Sequence, residues 1–369
     1  MNAQWLTYFE NYAEKLFPAF AAPDTWNYKD DICMVGEEML WQVTGSEIYR
    51  RSMLKCGEAL CTPEGRLRHW DDDVHNLDFV SLGKSLWVLY RLTGSEAIHE
   101  EIRRVRRNLA GHPRTKTTGN YWHKNIYPWQ VWLDGLYMAL SFQAQCDIDS
   151  GATDFSDIFD QFRQVRAHHY VKETGLYLHA WDESRQMEWC DPETGLSRCY
   201  WLRAEGWLLM AMCDCYELLR DRTPDAKLFG ELLREAIRGI LPYQDAKTKM
   251  FLQLIDRKDL PDNYPETSGS AMVAYALMKG ARLGLLDPEY TEKGVEILEG
   301  IRVNELRGDN PPVLYGICSS AGLGPGPDNR PDRDGTPRYY LSEKQIPDNQ
   351  HGTAACMMAA AECLRYLNR

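Results

Sequence analysis

The chain has 369 residues, a mass of 42.6 kDa and a formal net charge of −12. That acidity excludes a general nucleic-acid binder, which needs a basic face to displace phosphate counterions, and argues against docking on an anionic membrane. Apolar residues at 44% and charged residues at 26% allow a sizeable core, and no apolar run reaches the ~18 residues of a membrane span.

The first ten residues, Met1 to Glu10 (MNAQWLTYFE), lack a basic segment followed by an apolar one, so a cytoplasmic protein is expected. A periplasmic or secreted one is expected only if a signal has been removed from this sequence. The pattern is then helical nearly throughout. Six apolar runs each carry a glycine near their start, at Gly36, Gly83, Gly135, Gly206, Gly269 and Gly352. Runs such as Ala204–Leu219 (AEGWLLMAMCDCYELL) are apolar on most faces and read as inner helices. Ser95–Ala110, Ala226–Leu241 and Tyr290–Leu306 are amphipathic and read as outer helices. The first two inner runs end in the same turn, Thr44-Gly45-Ser46-Glu47 and Thr93-Gly94-Ser95-Glu96. There glycine stops one helix and serine with an acid starts the next.

Inner runs alternating with outer ones predict an all-α toroid of six helical hairpins, spanning residues 1–369 as one domain. Thr174–Asp182 (TGLYLHAWD) and Lys247–Asp256 (KTKMFLQLID) alternate aromatic and polar residues and predict small β-hairpins in the rim loops. Pro311–Tyr340 reads as a long loop, and Asp332-Arg333-Asp334-Gly335 within it as an ordinary turn rather than a calcium loop. The eleven cysteines form no CxxC pair and read as reduced, buried small hydrophobes. Twelve Trp and 20 Tyr suit either an aromatic core or the lining of a carbohydrate cleft.

Polar candidates gather in the lead-ins to the inner runs. Asp134 directly precedes Gly135 among Trp129, Trp132 and Leu133; burial there would raise its pKa and suit a general acid, while a helix N-cap is the plainer role. Asp78 lies five residues before Gly83. Arg203, between Trp201 and Trp207, is either a carboxylate clamp or the partner of Glu205. His179 is a structural histidine or a site residue, His123-Lys124 offers a second polar group, and His168-His169 reads as surface. No nucleotide-binding glycine loop, HExxH or Ser-His-Asp order occurs, so no cofactor and no metal are called.

In this order, Trp26–Tyr28 (WNY), Asn76–Lys84 (NLDFVSLGK), Tyr121–Ala139 (YWHKNIYPWQVWLDGLYMA), Gly175–Glu183 (GLYLHAWDE), Trp201–Trp207 (WLRAEGW), Pro265–Met272 (PETSGSAM), Ser319–Gly324 (SSAGLG) and Tyr339–Glu343 (YYLSE) span almost the whole chain. This series resembles the unsaturated rhamnogalacturonyl hydrolases, glycoside hydrolase family 105, and more distantly the unsaturated glucuronyl hydrolases. The resemblance implies an (α/α)6 barrel that hydrates the C4=C5 vinyl ether of a 4,5-unsaturated uronic acid. Such a residue is the non-reducing end of a lyase-generated pectic oligosaccharide. It implies Asp134 as acid/base and Asp78 as the second aspartate. His179, Trp201, Arg203, Trp207, His123 and Lys124 match substrate-contact positions, with Arg203 expected on the uronate carboxylate and Trp207 stacked on a sugar ring. Asp30 and Asp31 stand where the family often has glycine, in what reads as a cleft loop. A sugar isomerase or epimerase of the N-acylglucosamine 2-epimerase type is the enzyme alternative, and a carbohydrate-binding toroid the non-enzymatic one.

Overall fold

The computed structural model describes residues 2–20, 26–325 and 330–368. Twelve helices build an (α/α)6 barrel. The inner ring is α2 (Tyr28–Thr44), α4 (Leu82–Thr93), α6 (Leu133–Asp149), α8 (Leu202–Leu219), α10 (Thr267–Arg282) and α12 (Gln350–Leu367). The outer ring is α1 (Ala3–Asn11), α3 (Glu47–Leu60), α5 (Glu96–Ala110), α7 (Ser156–His169), α9 (Lys227–Ile240) and α11 (Tyr290–Glu305). The ring closes where α12 packs against α2. A short helix, Leu77–Val80, precedes α4 and packs on α6.

The glycines explain how six helices fit around one axis. A Cβ on Gly83 would collide with the Phe142 ring, and one on Gly269 with Leu202 of the neighbouring inner helix. Helices that approach this closely need an apolar surface of small and flexible residues, which is why the inner runs are rich in Ala and Met. Gly45 and Gly94 end α2 and α4 in the left-handed region, as the repeated turn predicts. Ser46 and Ser95 stand at the next N-caps, but neither side chain makes a capping hydrogen bond. Instead the amides of Ser46 and Ser95 donate to the Thr44 and Thr93 hydroxyls.

A girdle of backbone hydrogen bonds laces the lead-ins together. The amides of Leu77, Leu133, Leu202 and Thr267 donate to the carbonyls of His123, His179, Gln253 and Gly316 at 2.8–3.1 Å. Each donor opens an inner helix or the short helix before one, so the next residues, Asp78, Asp134, Arg203 and Ser268, take equivalent places around one rim. Short strands reinforce the girdle. β1 (Gln130–Trp132) runs antiparallel to β4 (Ala180–Asp182), and β2 (Tyr170–Val171) to β3 (Leu176–Tyr177). β5 (Leu306–Arg307) pairs with β6 (Val313–Leu314).

Several expectations need correction. Thr174–Asp182 does hold strands, but its second half pairs with the Asp134 lead-in rather than folding back on itself. Lys247–Asp256 is no hairpin: Leu252 and Leu254 form single bridges to Pro265 and Trp201, so the alternation reflects contacts with two other lead-ins. His169 is fully buried, its Nδ1 3.0 Å from the Leu178 carbonyl, and burial holds its pKa down at about 3. Asp30 and Asp31 are not in a cleft loop but in the buried first turn of α2. Asp30 completes a capping box with Asn27 and accepts from Gln350, while Asp31 accepts from Ser81 and Ser85. All eleven cysteines are buried and free, as the sequence suggests. Part of the long loop, 326–329, lies outside the described residues. Among those described, no helix is long and apolar enough to cross a membrane.

Candidate active site

Asp134 lies in the first turn of α6, two residues after Trp132, which holds the N-cap position. It is therefore not the cap. The β1–β4 pairing carries His179 to it, with His179 Nε2 3.1 Å from Asp134 Oδ2. A carboxylate only accepts, so Nε2 carries the hydrogen. Nδ1 lies 2.7 Å from the Tyr340 hydroxyl, which donates to it when the ring is neutral. Burial drives the Asp134 carboxyl upward, but the His179 hydrogen bond and nearby charge outweigh it and leave its pKa below the usual carboxylate value. The expectation of a raised pKa is overturned for the ligand-free site. Apolar sequence neighbours suggested desolvation alone, and the opposing partner comes from 45 residues away.

Asp78 takes the equivalent place on the short helix, its amide capped by the Asn76 side chain at 2.9 Å. Lys124 Nζ meets Asp78 Oδ2 at 2.7 Å, and His123 Nε2 stands 3.7 Å from Oδ1. Burial works against the Lys124 charge, yet Asp78 raises its pKa overall. Burial lowers His123 to about 4, so that ring is neutral near pH 7. His123 stacks on Trp132 at 4.5 Å, Trp132 meets His179 edge-on at 5.3 Å, and His179 leans on Trp201 at 4.8 Å. Arg203 lies over Trp201, its Cζ 4.7 Å from the ring. These contacts join Asp78, His123, Lys124, Asp134, His179, Trp201 and Arg203 into one cluster. Side-chain exposures of 12% for Asp78, 13% for Asp134 and 17% for Lys124 show that it opens to solvent.

Two expectations fail here. Arg203 does not pair with Glu205: its Nη1 donates to the Cys318 carbonyl at 2.6 Å and the Ser268 hydroxyl at 3.3 Å, while Glu205 accepts from the Tyr177 amide. Trp207 is buried and packs on Tyr137 at 4.6 Å inside the ring, so it offers no face for a sugar to stack on. Sequence reading missed Tyr340 and Tyr28. The Tyr28 hydroxyl is 2.8 Å from His351 Nε2, while His351 Nδ1 donates to Asn349 Oδ1 at 2.9 Å. Burial raises the Tyr28 phenol's pKa, and Asp78, Arg203 and Asp134 are near enough for their charges to act on it. Tyr28 and Tyr340 were visible only as letters of WNY and YYLSE. Among the described residues no group of three or more His, Cys, Asp or Glu is arranged for a metal ion.

An (α/α)6 toroid whose rim gathers carboxylates, imidazoles and indoles holds the groups that carbohydrate chemistry uses. A model of Glycosyl Hydrolase Family 88 matches residues 2–367. A solved glycoside hydrolase from family 105 of C. acetobutylicum is 32% identical, covering 98% of this chain and 99% of that one with a TM-score of 0.91. A 24.9 kDa protein in the picA locus of Rhizobium radiobacter is 39% identical over 62% of this chain and 98% of its own length. The unsaturated rhamnogalacturonyl hydrolase YesR of Bacillus subtilis is 28% identical over 56% of this chain and 59% of its own. The chain belongs to glycoside hydrolase families 88 and 105, the unsaturated glycuronyl hydrolases. It is a hydrolase, and the isomerase and the non-enzymatic toroid fall away.

Proposed function

We propose that the protein releases a 4,5-unsaturated uronic acid from the non-reducing end of rhamnogalacturonan-type pectic oligosaccharides. The observation that carries this reading is the Asp134–His179–Tyr340 chain beside Asp78 and Arg203 at one solvent-facing rim. The likeness to YesR supports the pectic substrate. Asp134 is the acid that protonates C4. Positive charge develops at C5 and the ring oxygen, and the carboxylate left behind takes a proton from the water that adds at C5. The hemiketal opens, the glycosidic oxygen departs, and a 5-keto-4-deoxyuronate is released.

In the empty site His179 favours the ionised carboxylate, so binding must reverse that preference. An arriving uronate brings a second negative charge and displaces water, and both raise the pKa of Asp134. Arg203 is assigned to the uronate carboxylate, with Trp201 as the wall behind it. Asp78, held by Lys124, is assigned to the sugar hydroxyls, and His123 to the ring face near Trp132.

The test follows the enol-ether absorbance of two substrates, an unsaturated galacturonyl-rhamnose disaccharide and an unsaturated glucuronyl disaccharide from a glycosaminoglycan. Faster loss of the band from the first is expected. Loss only from the second would overturn the pectic assignment.

A further inference from the structure

We infer that Glu266 is a positioning residue that aims Arg203 at the substrate's carboxylate; this rests on the reading of Arg203 as the carboxylate clamp. Glu266 never reaches the cleft, being 0% exposed at the N-cap of α10. Its carboxylate nonetheless gathers three donors from two elements, with the single Ser268 hydroxyl hydrogen shared between its two oxygens. Oε2 accepts from the Gly269 amide at 2.7 Å and the Ser268 hydroxyl at 2.9 Å; Oε1 accepts from the same hydroxyl at 2.8 Å and from the Cys318 amide at 3.1 Å. Both groups that receive Arg203 Nη1, the Ser268 hydroxyl and the Cys318 carbonyl, belong to residues that Glu266 fixes.

An ordinary helix cap needs only the Gly269 bond. The Ser268 hydroxyl holds the carboxylate against α10, the Cys318 amide ties it to the chain segment at Cys318, and Arg203 of α8 lies across that junction. A buried guanidinium also needs a counter-charge, since an unpaired one is expensive to keep from water. Glu266 and Asp134 both act on Arg203. With Glu266 behind it, the guanidinium is compensated without collapsing onto Asp134, which is left to His179. The guanidinium, whose described hydrogen bonds go to neutral groups, then keeps its charge for an incoming carboxylate.

The test compares the unsaturated disaccharide with its uronate methyl ester, which keeps the double bond and removes the charge. The wild type should prefer the acid in kcat/KM, and Arg203→Ala should lose that preference. Glu266→Gln keeps the volume and a capping oxygen but offers an amide where the Cys318 amide needs an acceptor. It should lose about tenfold or more of the acid-over-ester preference, mainly through KM. Loss of thermal stability with the preference intact would overturn the proposal, since a mere cap would behave so. Ser268→Ala removes the bridging hydroxyl, leaves Glu266 on Gly269 and Cys318, and should lower the preference at least threefold; an unchanged preference overturns the proposal even if Glu266→Gln does not fold. A wild type and Arg203→Ala with equal preferences would show instead that the clamp reading itself is wrong.

Discussion

At the ends of the inner helices far from the rim, Arg282 meets Glu362 at 2.6 Å and Glu217 at 2.9 Å, Lys279 meets Asp214 and Glu217 at 2.7 Å, and Arg91 meets Glu38 at 2.6 Å. These residues sit in the C-terminal parts of α2, α4, α8, α10 and α12, which shows that the inner helices run parallel. At the rim, the first turns of α6 and α8 and the short helix before α4 carry Asp134 on His179, Arg203 on a carbonyl and a hydroxyl, and Asp78 on Lys124. The far end matches guanidinium and ammonium groups directly with carboxylates between neighbouring helices. The rim has such a pair in Asp78 with Lys124, and otherwise sets Asp134 among imidazoles, indoles and a guanidinium whose hydrogen bonds go to neutral groups. The first arrangement holds helix ends in register; the second leaves directed charge for a ligand.

The largest effect that separates the two ends is on turnover. Asp134→Asn keeps the size of the side chain but cannot give a proton to carbon. It should fold with a near-normal melting temperature and lose about 10²–10⁴-fold in kcat. Equal turnover would break the comparison at its functional end. The matching substitution at the far end, Glu362→Ala, strips Arg282 and Arg365 of a carboxylate that is 2% exposed. It should cost about 3 kcal/mol in denaturant unfolding while KM and kcat of the remaining folded enzyme stay near wild type.

Arg203→Ala should cost about 1.5–3 kcal/mol of transition-state binding, read from kcat/KM on the unsaturated disaccharide. Arg203→Lys should restore only part, because the planar fork is lost. Unchanged kinetics in the alanine variant would move the carboxylate to another cation, with Lys124 the next candidate.

The smallest effect concerns acid stability. Burial holds His112 and His169 near pKa 3 and His123 near 4. A histidine with a depressed folded pKa contributes stability that is full above its unfolded value of about 6.5 and is lost as pH falls toward the folded value. Melting temperature should therefore drop between pH 7.5 and pH 5. His169→Gln should flatten that slope by about 1–2 kcal/mol across the window, and an equally steep slope would show that His169 is not held neutral.

The inner ring was legible because close helix packing imposes one requirement along each helix, glycine followed by small and flexible apolar residues. The rim was legible only as a set of lead-ins. Which side chains meet depends on the backbone girdle, where the Leu133 amide finds the His179 carbonyl and the Leu202 amide finds that of Gln253. Asp134 looked like a carboxyl raised by its apolar neighbours because its opposing partner is distant in sequence. Trp207 looked like a sugar platform beside Arg203, yet four residues along a helix carry it a full turn deeper into the ring, where it packs on Tyr137. Glu266 lay in plain view in PETSGSAM, but nothing local joins it to Arg203. The false hairpin at Lys247–Asp256 shows the same limit, since alternation reports an extended segment and not its partner.

The central claim is that Asp134 delivers a proton to C4 of an unsaturated uronate. Turnover of the unsaturated disaccharide in deuterium oxide, followed by NMR of the released 4-deoxy sugar, tests it most directly. The wild type should lose the enol-ether absorbance and place one deuterium at C4 on a single face, and Asp134→Asn should do neither at a comparable rate. A product without deuterium at C4, or Asp134→Asn incorporating it as fast as the wild type, would contradict the claim.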